Sequence, residues 1–384
     1  MKKIAFSGTL DPITNGHLWV IQEARALADE VVVFISENPV KKPQFSALER
    51  KDIIERSVAE CGWDNVSVVI VKGDYTARAA KRHGIEYLVR GIRNTSDFDY
   101  ENLIQQTNVD VLDGAKTIFV MPPRDLGSVS SSFVRALQGP VGWHWTVKKF
   151  MPMPAYIAWI KSWLRTDWQK LWETETETDI DSSKLVHWFD YLTGEEAYGA
   201  ARRPYHNLDH LVHGLSEISA WASNTGASNS DVAILKKAFW FHDAVYGGKS
   251  ADLSNEEQSA RMWLEAGLGS QHQQEVADLI RVTDHFQSAM LVHPLKDAML
   301  SVDLAILGQA VDTYEAYAAA VRIEYNEVDD AAYRAGRGRV LDYFQGLAES
   351  GHLFADPWFA DLYTSQALIN IKREKAQSQV LTGK

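Results

Sequence analysis

Cysteine is nearly absent: Cys61 is the single one among 384 residues. A lone thiol excludes a disulfide scaffold and a thiolate metal cluster, and it reads as an incidental, partly buried residue. Long apolar runs are missing too, with no stretch approaching the ~20 apolar residues that a membrane span needs. The N-terminus, MKKIAFSGTLDP, reaches Asp11 and Pro12 after only a few apolar residues, too few for a signal peptide. A cytoplasmic protein is the expectation. Glycine (24) and proline (11) are at ordinary levels, which excludes a fibrous or disordered chain.

Positive charge is scarce in the second part of the chain. Residues 1–150 carry 19 Lys/Arg against 18 Asp/Glu, whereas residues 151–384 carry 20 against 33. So acidic a surface repels phosphate polymers and argues against nucleic acid as a partner. A small phosphorylated ligand held by local cations or a metal ion stays compatible with it. The chain is 46% apolar and long enough for two or three domains at roughly 150 residues each.

Residues 3–6, 31–35, 66–71, 87–89 and 117–121 read as short β-branched strands, with helices at 16–27 and 75–83 between them. That alternation predicts a parallel sheet with helices on both faces over residues 1–150. Prolines 122, 123, 140, 152 and 154 then close the pattern. A Trp-rich helical segment follows at 151–180, with seven of the 13 tryptophans between Trp143 and Trp188. Trp159 and Trp163, then Trp168 and Trp172, are spaced i,i+4, as expected of an apolar seam between domains. Residues 173–179 (ETETETD) read as an exposed helix end or loop. Residues 181–384 carry helical periodicity only, predicting an all-α domain.

Residues 8–17 (GTLDPITNGH) follow the first strand and open the first helix, where backbone N–H groups and the helix dipole face phosphates. Thr9 can bond a phosphate oxygen, and His17 can donate to charge developing in a transition state. Lys41 and Lys42, residues 89–93 (VRGIR) and residues 129–135 (VSSSFVR) each lie just past a strand, so a parallel sheet brings them to one edge. The pattern T-x-D-P-x-T-x-G-H, then N-P-x-K-K-P-x-F, R-G-I-R with S-D-F-D-Y-E, and S-S-S-x-x-R resembles bacterial phosphopantetheine adenylyltransferases over residues 1 to 138. The resemblance implies a Rossmann-like α/β nucleotidyltransferase domain that transfers the adenylyl group of ATP, with Mg²⁺, to 4′-phosphopantetheine. It also implies that Thr9, His17, Lys41 and Arg93 hold the reacting phosphates. Arg90, Ser130, Ser131 and Ser132 would hold the ATP phosphates, with Glu101 near the nucleotide, in a homo-oligomer. Ser7 and Leu10 stand where the family has proline and phenylalanine. Residues 102–110 (NLIQQTNVD) lack its methionine and arginine, so a different phosphorylated acceptor is the alternative reading.

In the second part, His206 and His210 are four apart, on one face if that segment is helical, His242-Asp243 follow an apolar helical run, and Asp303 interrupts a buried stripe. Imidazoles with carboxylates suit Mn, Fe, Co, Zn or Mg. The ordered set His, His-Asp, Asp resembles the HD-domain metal-dependent phosphohydrolases. By that resemblance His210, His242, Asp243 and Asp303 would hold the metal, which activates water. His206 would be the general acid. Glu256, Glu257 and His285 are candidates for a second metal or its waters, and His187, His213, His272 and His293 read as bystanders. The alternative keeps this domain as a nucleotide-binding regulatory module.

Overall fold

The computed structural model describes residues 2–36, 42–111, 114–173, 181–247, 253–269, 272–285 and 291–380; Lys41 and residues 174–179 of the acidic run lie outside them. The chain divides into two compact units, Met1–Ser162 and Trp163–Lys384.

The first unit alternates β1 (Lys3–Gly8), α1 (Asn15–Leu27), β2 (Glu30–Ser36), α2 (Ala47–Glu60), β3 (Val66–Val71), α3 (Thr76–Arg82), β4 (Tyr87–Gly91), α4 (Thr95–Gln106), β5 (Lys116–Val120), α5 (Ser131–Ala136) and α6 (Trp143–Lys148). The strands form one sheet in the order β3-β2-β1-β4-β5, every pairing parallel. β2 carries five consecutive buried residues, from Val31 to Ile35, as a strand covered on both faces must. The order reverses between β1 and β4, where Phe6 is in register with Val89. The carboxyl ends of these two strands therefore open a crevice at a topological switch point. Ser46 accepts from the Glu49 N–H while Glu49 accepts from the Ser46 N–H, a closed cap that starts α2. Cys61 sits exposed at the other end of α2, not partly buried as its apolar character suggests.

Gly16 makes the crevice possible. A Cβ there would stand 2.5 Å from the Val129 carbonyl oxygen, so only glycine lets α1 approach the segment that leads into α5. Gly16→Ala is expected to destabilise this unit by about 1–3 kcal/mol, read as a lower denaturation midpoint.

α7 (Met153–Glu173) runs across the division between the units. The second unit continues as α8 (Ser182–Leu192), α9 (Leu208–Thr225), α10 (Asn229–Phe241), α11 (Asn255–Ala266), α12 (Gln273–Arg281), α13 (Lys296–Leu304), a 3₁₀ turn, α14 (Val311–Glu324), α15 (Asp330–Glu349) and α16 (Pro357–Val380). Every described element in it is helical. The tryptophans expected to form one seam serve two separate cores. Trp159 packs on Phe45 in the first unit, while Trp168 packs on Trp240 and Trp172 on Trp263 in the second. No described helix is long and apolar enough to cross a membrane.

His206 and His210 do not share a helix. Asn207 accepts from the Asp209 and His210 N–H groups and so caps α9, which starts at Leu208. The His206 N–H goes instead to Glu324 Oε1, 2.9 Å away, so His206 stands on the preceding loop.

Candidate functional sites

At the β1/β4 crevice lies a cleft of about 310 Å³, walled by His17, Arg90, Arg93, Glu101 and Ser130 among others. The Arg90 guanidinium donates to the Ser7 carbonyl oxygen and grips both oxygens of the Glu101 carboxylate, with Nε–Oε2 at 2.9 Å. Glu101, on α4, is thus the partner that fixes Arg90. Arg93 is held by Asp97, one helical turn along, at 2.8 Å. Both cations reach the cleft pre-positioned by carboxylates, which lowers the entropy cost of meeting an anion.

The loop between β1 and α1 is tied down by Asp11. Its buried carboxylate accepts the N–H groups of Gln44 (2.7 Å) and Phe45 (3.1 Å) and pairs with Arg135, on α5. Three segments that follow three different strands are thereby locked together. Neither Asp11 nor Arg135 stood out in the sequence as more than a motif letter.

His17 has a defined tautomer. The Thr14 N–H donates to its Nδ1 at 3.0 Å, and the Thr14 hydroxyl lies 2.9 Å from the same atom. Nδ1 is therefore the acceptor and Nε2 carries the proton. Burial, reinforced by Arg93 and Arg90, pushes the imidazole pKa down from 6.5 to about 4. A neutral N–H donor in a cationic cleft is suited to bond an oxygen on which negative charge grows.

Not every residue expected here lines the cleft. Thr9 is not part of the cleft wall, and its carbonyl oxygen accepts from Arg50. Ser130 caps α5 by accepting from the Phe133 N–H, Ser131 donates to the Pro12 carbonyl oxygen at 2.8 Å, and Ser132 is exposed. Only Ser130 of the three lines the cleft.

The second constellation converges. The Nε2 atoms of His210 (α9) and His242 (the C-cap of α10) are 3.1 Å apart. Asp303 Oδ1, from α13, lies 3.7 Å and 3.5 Å from them, and Asp243 Oδ2 lies 3.5 Å and 3.1 Å away. His242 donates Nδ1–H to the Phe239 carbonyl oxygen at 2.8 Å, which turns its Nε2 inward. Burial, with His242 beside it, lowers the His210 pKa to about 3, so that ring is neutral. Burial opposes charge on His242 as well, yet Asp243 and Asp303 raise its pKa well above the ordinary value. Two imidazole nitrogens and an Asp303 oxygen within 4.8 Å of one another, with Asp243 Oδ2 beside both rings, are donors a divalent transition-metal ion takes, so the residues fit such an ion.

Around this cluster, His285 Nε2 holds Asp303 Oδ2 at 2.9 Å. Glu324 Oε2 lies 2.7 Å from His206 Nδ1, and Tyr246 stacks on the His206 ring at 3.8 Å. His206 Nε2 stands 3.9 Å from Asp243. Glu257 takes no part: it pairs with Arg281 at 2.6 Å and Arg261 at 2.8 Å, and it sits with Glu256 in the first turn of α11. His213 is buried against Glu217.

Residues 5–137 match the cytidylyltransferase-like family model. A phosphopantetheine adenylyltransferase of Chromobacterium violaceum is 37% identical over 156 residues, covering 41% of this chain and 94% of the relative. That of Neisseria meningitidis serogroup C is 34% identical over 155 residues, 40% of this chain and 90% of the relative. That of Streptococcus suis is 40% identical over 132 residues, covering 34% and 80%. A solved structure of Plasmodium falciparum nicotinic acid mononucleotide adenylyltransferase with NaAD aligns at 16% identity and a TM-score of 0.32, over 41% of this chain and 95% of that one. Identity of this level across nearly the whole length of the curated relatives, on a sheet whose switch point holds the His17–Arg90 cleft, makes about the first two-fifths of the chain a nucleotidyltransferase domain of the phosphopantetheine adenylyltransferase family.

Proposed function

We propose that the chain is bifunctional, its first unit transferring the adenylyl group of ATP to 4′-phosphopantetheine and its second hydrolysing a phosphate ester at the His/Asp cluster. The observation that carries the first half is the neutral His17 facing Arg90 and Arg93 across one cleft. An acceptor phosphate oxygen attacks the α-phosphorus of ATP in line, and the bond to pyrophosphate breaks. No group of the protein forms a bond, so the rate comes from alignment and charge stabilisation. His17 Nε2–H and Arg93 meet the growing negative charge, while Arg90, braced by Glu101, and Ser130 hold ATP, which arrives with Mg²⁺. Mass spectrometry of protein, ATP, Mg²⁺ and 4′-phosphopantetheine tests this. Dephospho-coenzyme A is the expected product, and no adenylylated product would overturn the acceptor.

The second half rests on the convergence of His210, His242, Asp243 and Asp303, as in HD-type phosphohydrolases. A divalent ion held there supplies Lewis-acid charge and activates water. His206 then holds the proton that the leaving oxygen requires. Glu324 supports the doubly protonated ring: one oxygen accepts the Tyr205 and His206 N–H groups and the other accepts Nδ1–H, so the second proton, on Nε2, is the one that leaves. Glu324→Gln removes the carboxylate charge that supports the second proton on the His206 ring. The expected result is a roughly 10- to 100-fold loss of phosphate release at unchanged metal content. Equal loss of metal would make Glu324 a structural residue instead.

A further inference from the structure

Beside the His/Asp cluster the second unit contains a cavity of about 750 Å³. His206, His285 and Asp303 form one end of it. Beyond them the walls are apolar (Leu304, Ile306, Val340 and Phe344 among them) and rich in tyrosine: Tyr205, Tyr246, Tyr317, Tyr325 and Tyr333. Two cations line it. Arg337 is already neutralised, its Nε and Nη2 lying 2.8 Å and 3.1 Å from the two Glu374 oxygens. Arg339, exposed at the rim, is the one lining cation without an ion pair among the described residues. A polyphosphate chain entering this space would bring several charges with almost nothing to compensate them, at high desolvation cost. A planar, weakly polar group would meet aromatic faces and aliphatic walls, where burial is favourable.

We propose that this cavity takes the planar, largely apolar body of an organic phosphate monoester, whose single phosphate lies at the His/Asp cluster. The inference rests on the hydrolase reading above and names its substrate class. In the step, a water oxygen bonds to phosphorus and the P–O bond to the organic body breaks. The departing oxygen takes its proton from His206, the proton that the attacking water gives up restores His206, and an alcohol or phenol and inorganic phosphate are left. The chain keeps the room open with Gly336: a Cβ built there meets only the Arg339 guanidinium end, at 4.0 Å, and otherwise open space. A larger side chain at that point of α15 starts from a position that lines the cavity and has room at its Cβ.

The experiment uses the full chain with 1-naphthyl phosphate and inorganic pyrophosphate as probes, and Gly336→Phe as the blocking variant. Val340→Trp, one turn along the same helix, is the second blocking variant should the first fail to fold. Binding of 1-naphthyl phosphate to metal-free protein is followed by naphthyl fluorescence anisotropy, and phosphate release is followed with added Mn²⁺. The proposal expects binding that the blocking variant weakens roughly tenfold or more, at unchanged Mn²⁺ content. It also expects Mn²⁺-dependent hydrolysis of the naphthyl ester to exceed that of pyrophosphate by a similar factor. Binding indifferent to the blocking variants, or pyrophosphate as the better substrate, would overturn it. Binding that the variants block, with no phosphate release from either probe, leaves the ligand class standing and removes the hydrolase reading beneath it.

Discussion

His17→Ala lowers kcat for pyrophosphate release by roughly 10²–10³-fold, the loss found when one donor to a developing oxyanion is removed. The KM for ATP stays close to its starting value. On the proposed reading the imidazole donates chiefly to charge that exists in the transition state, whereas Arg90 and Ser130 would hold the ATP phosphates. The same substitution removes a cap of α1, worth about 1 kcal/mol, so circular dichroism has to show the domain folded before the rate is read. His17→Gln, which returns an N–H near the Nε2 position, recovers part of the rate. Unchanged pyrophosphate release by His17→Ala would remove His17 from the reaction.

The protonation state of His17 adds a second readout. Its folded-state pKa of about 4 lies below the ordinary 6.5, so the unfolded chain takes up this proton first as pH falls. The stability it contributes is fully present above 6.5 and is lost as pH drops from 6.5 towards about 4. The rate of adenylyl transfer accordingly shows no His17 inflection near 6.5. The melting temperature of the first unit falls through that window in the wild type, and less so in His17→Gln. A rate inflection near 6.5 that disappears in His17→Gln would mean that the imidazole works in its charged form.

What was legible in the sequence follows the range of the interactions involved. The strands, the switch-point motif and the adjacent His242-Asp243 are short patterns whose meaning is local, and the strands stand close to where the sequence placed them. The parallel sheet is among them, because β-branched runs alternating with helices have few other ways to bury both faces. Contacts across long sequence separations were not legible. Glu324 meets His206 across 118 residues, and Arg135 meets Asp11 across 124. No periodicity links such pairs, so nothing in the sequence ties Glu324 to His206 or Arg135 to Asp11. Ser131 shows the opposite failure: a motif letter suited to phosphate donates to the Pro12 carbonyl oxygen instead. His206 and His210 misled through their i,i+4 spacing, since Asn207 between them ends the helix that the spacing needs.

His242→Ala abolishes tight divalent-metal binding by the second unit, the second large effect expected of this chain. The two Nε2 atoms of His210 and His242 lie 3.1 Å apart, with Asp303 and Asp243 oxygens 3.1–3.7 Å from them. A buried arrangement of that kind needs a positive charge at its centre. Without a metal ion the charge is a proton on His242, and with one it is the ion, which takes that proton's place. Truncating His242 removes a donor and the ring that both the Asp243 and Asp303 carboxylates meet. The affinity loss should therefore exceed the 10- to 100-fold that follows from losing only an outer partner of a ligand. Metal analysis after dialysis against Mn²⁺ gives the first reading. Calorimetry gives the second: at free ion about 1,000 times Kd, binding stabilises a folded unit by about 4 kcal/mol, so Mn²⁺ raises one unfolding transition in the wild type and not in His242→Ala. His187→Ala, at an exposed position on α8, should match the wild type in both. Full metal content and an unchanged Mn²⁺ shift in His242→Ala would mean that the cluster is an ion-pair network holding α9, α10 and α13 together, and that the hydrolase reading has no metal to act through.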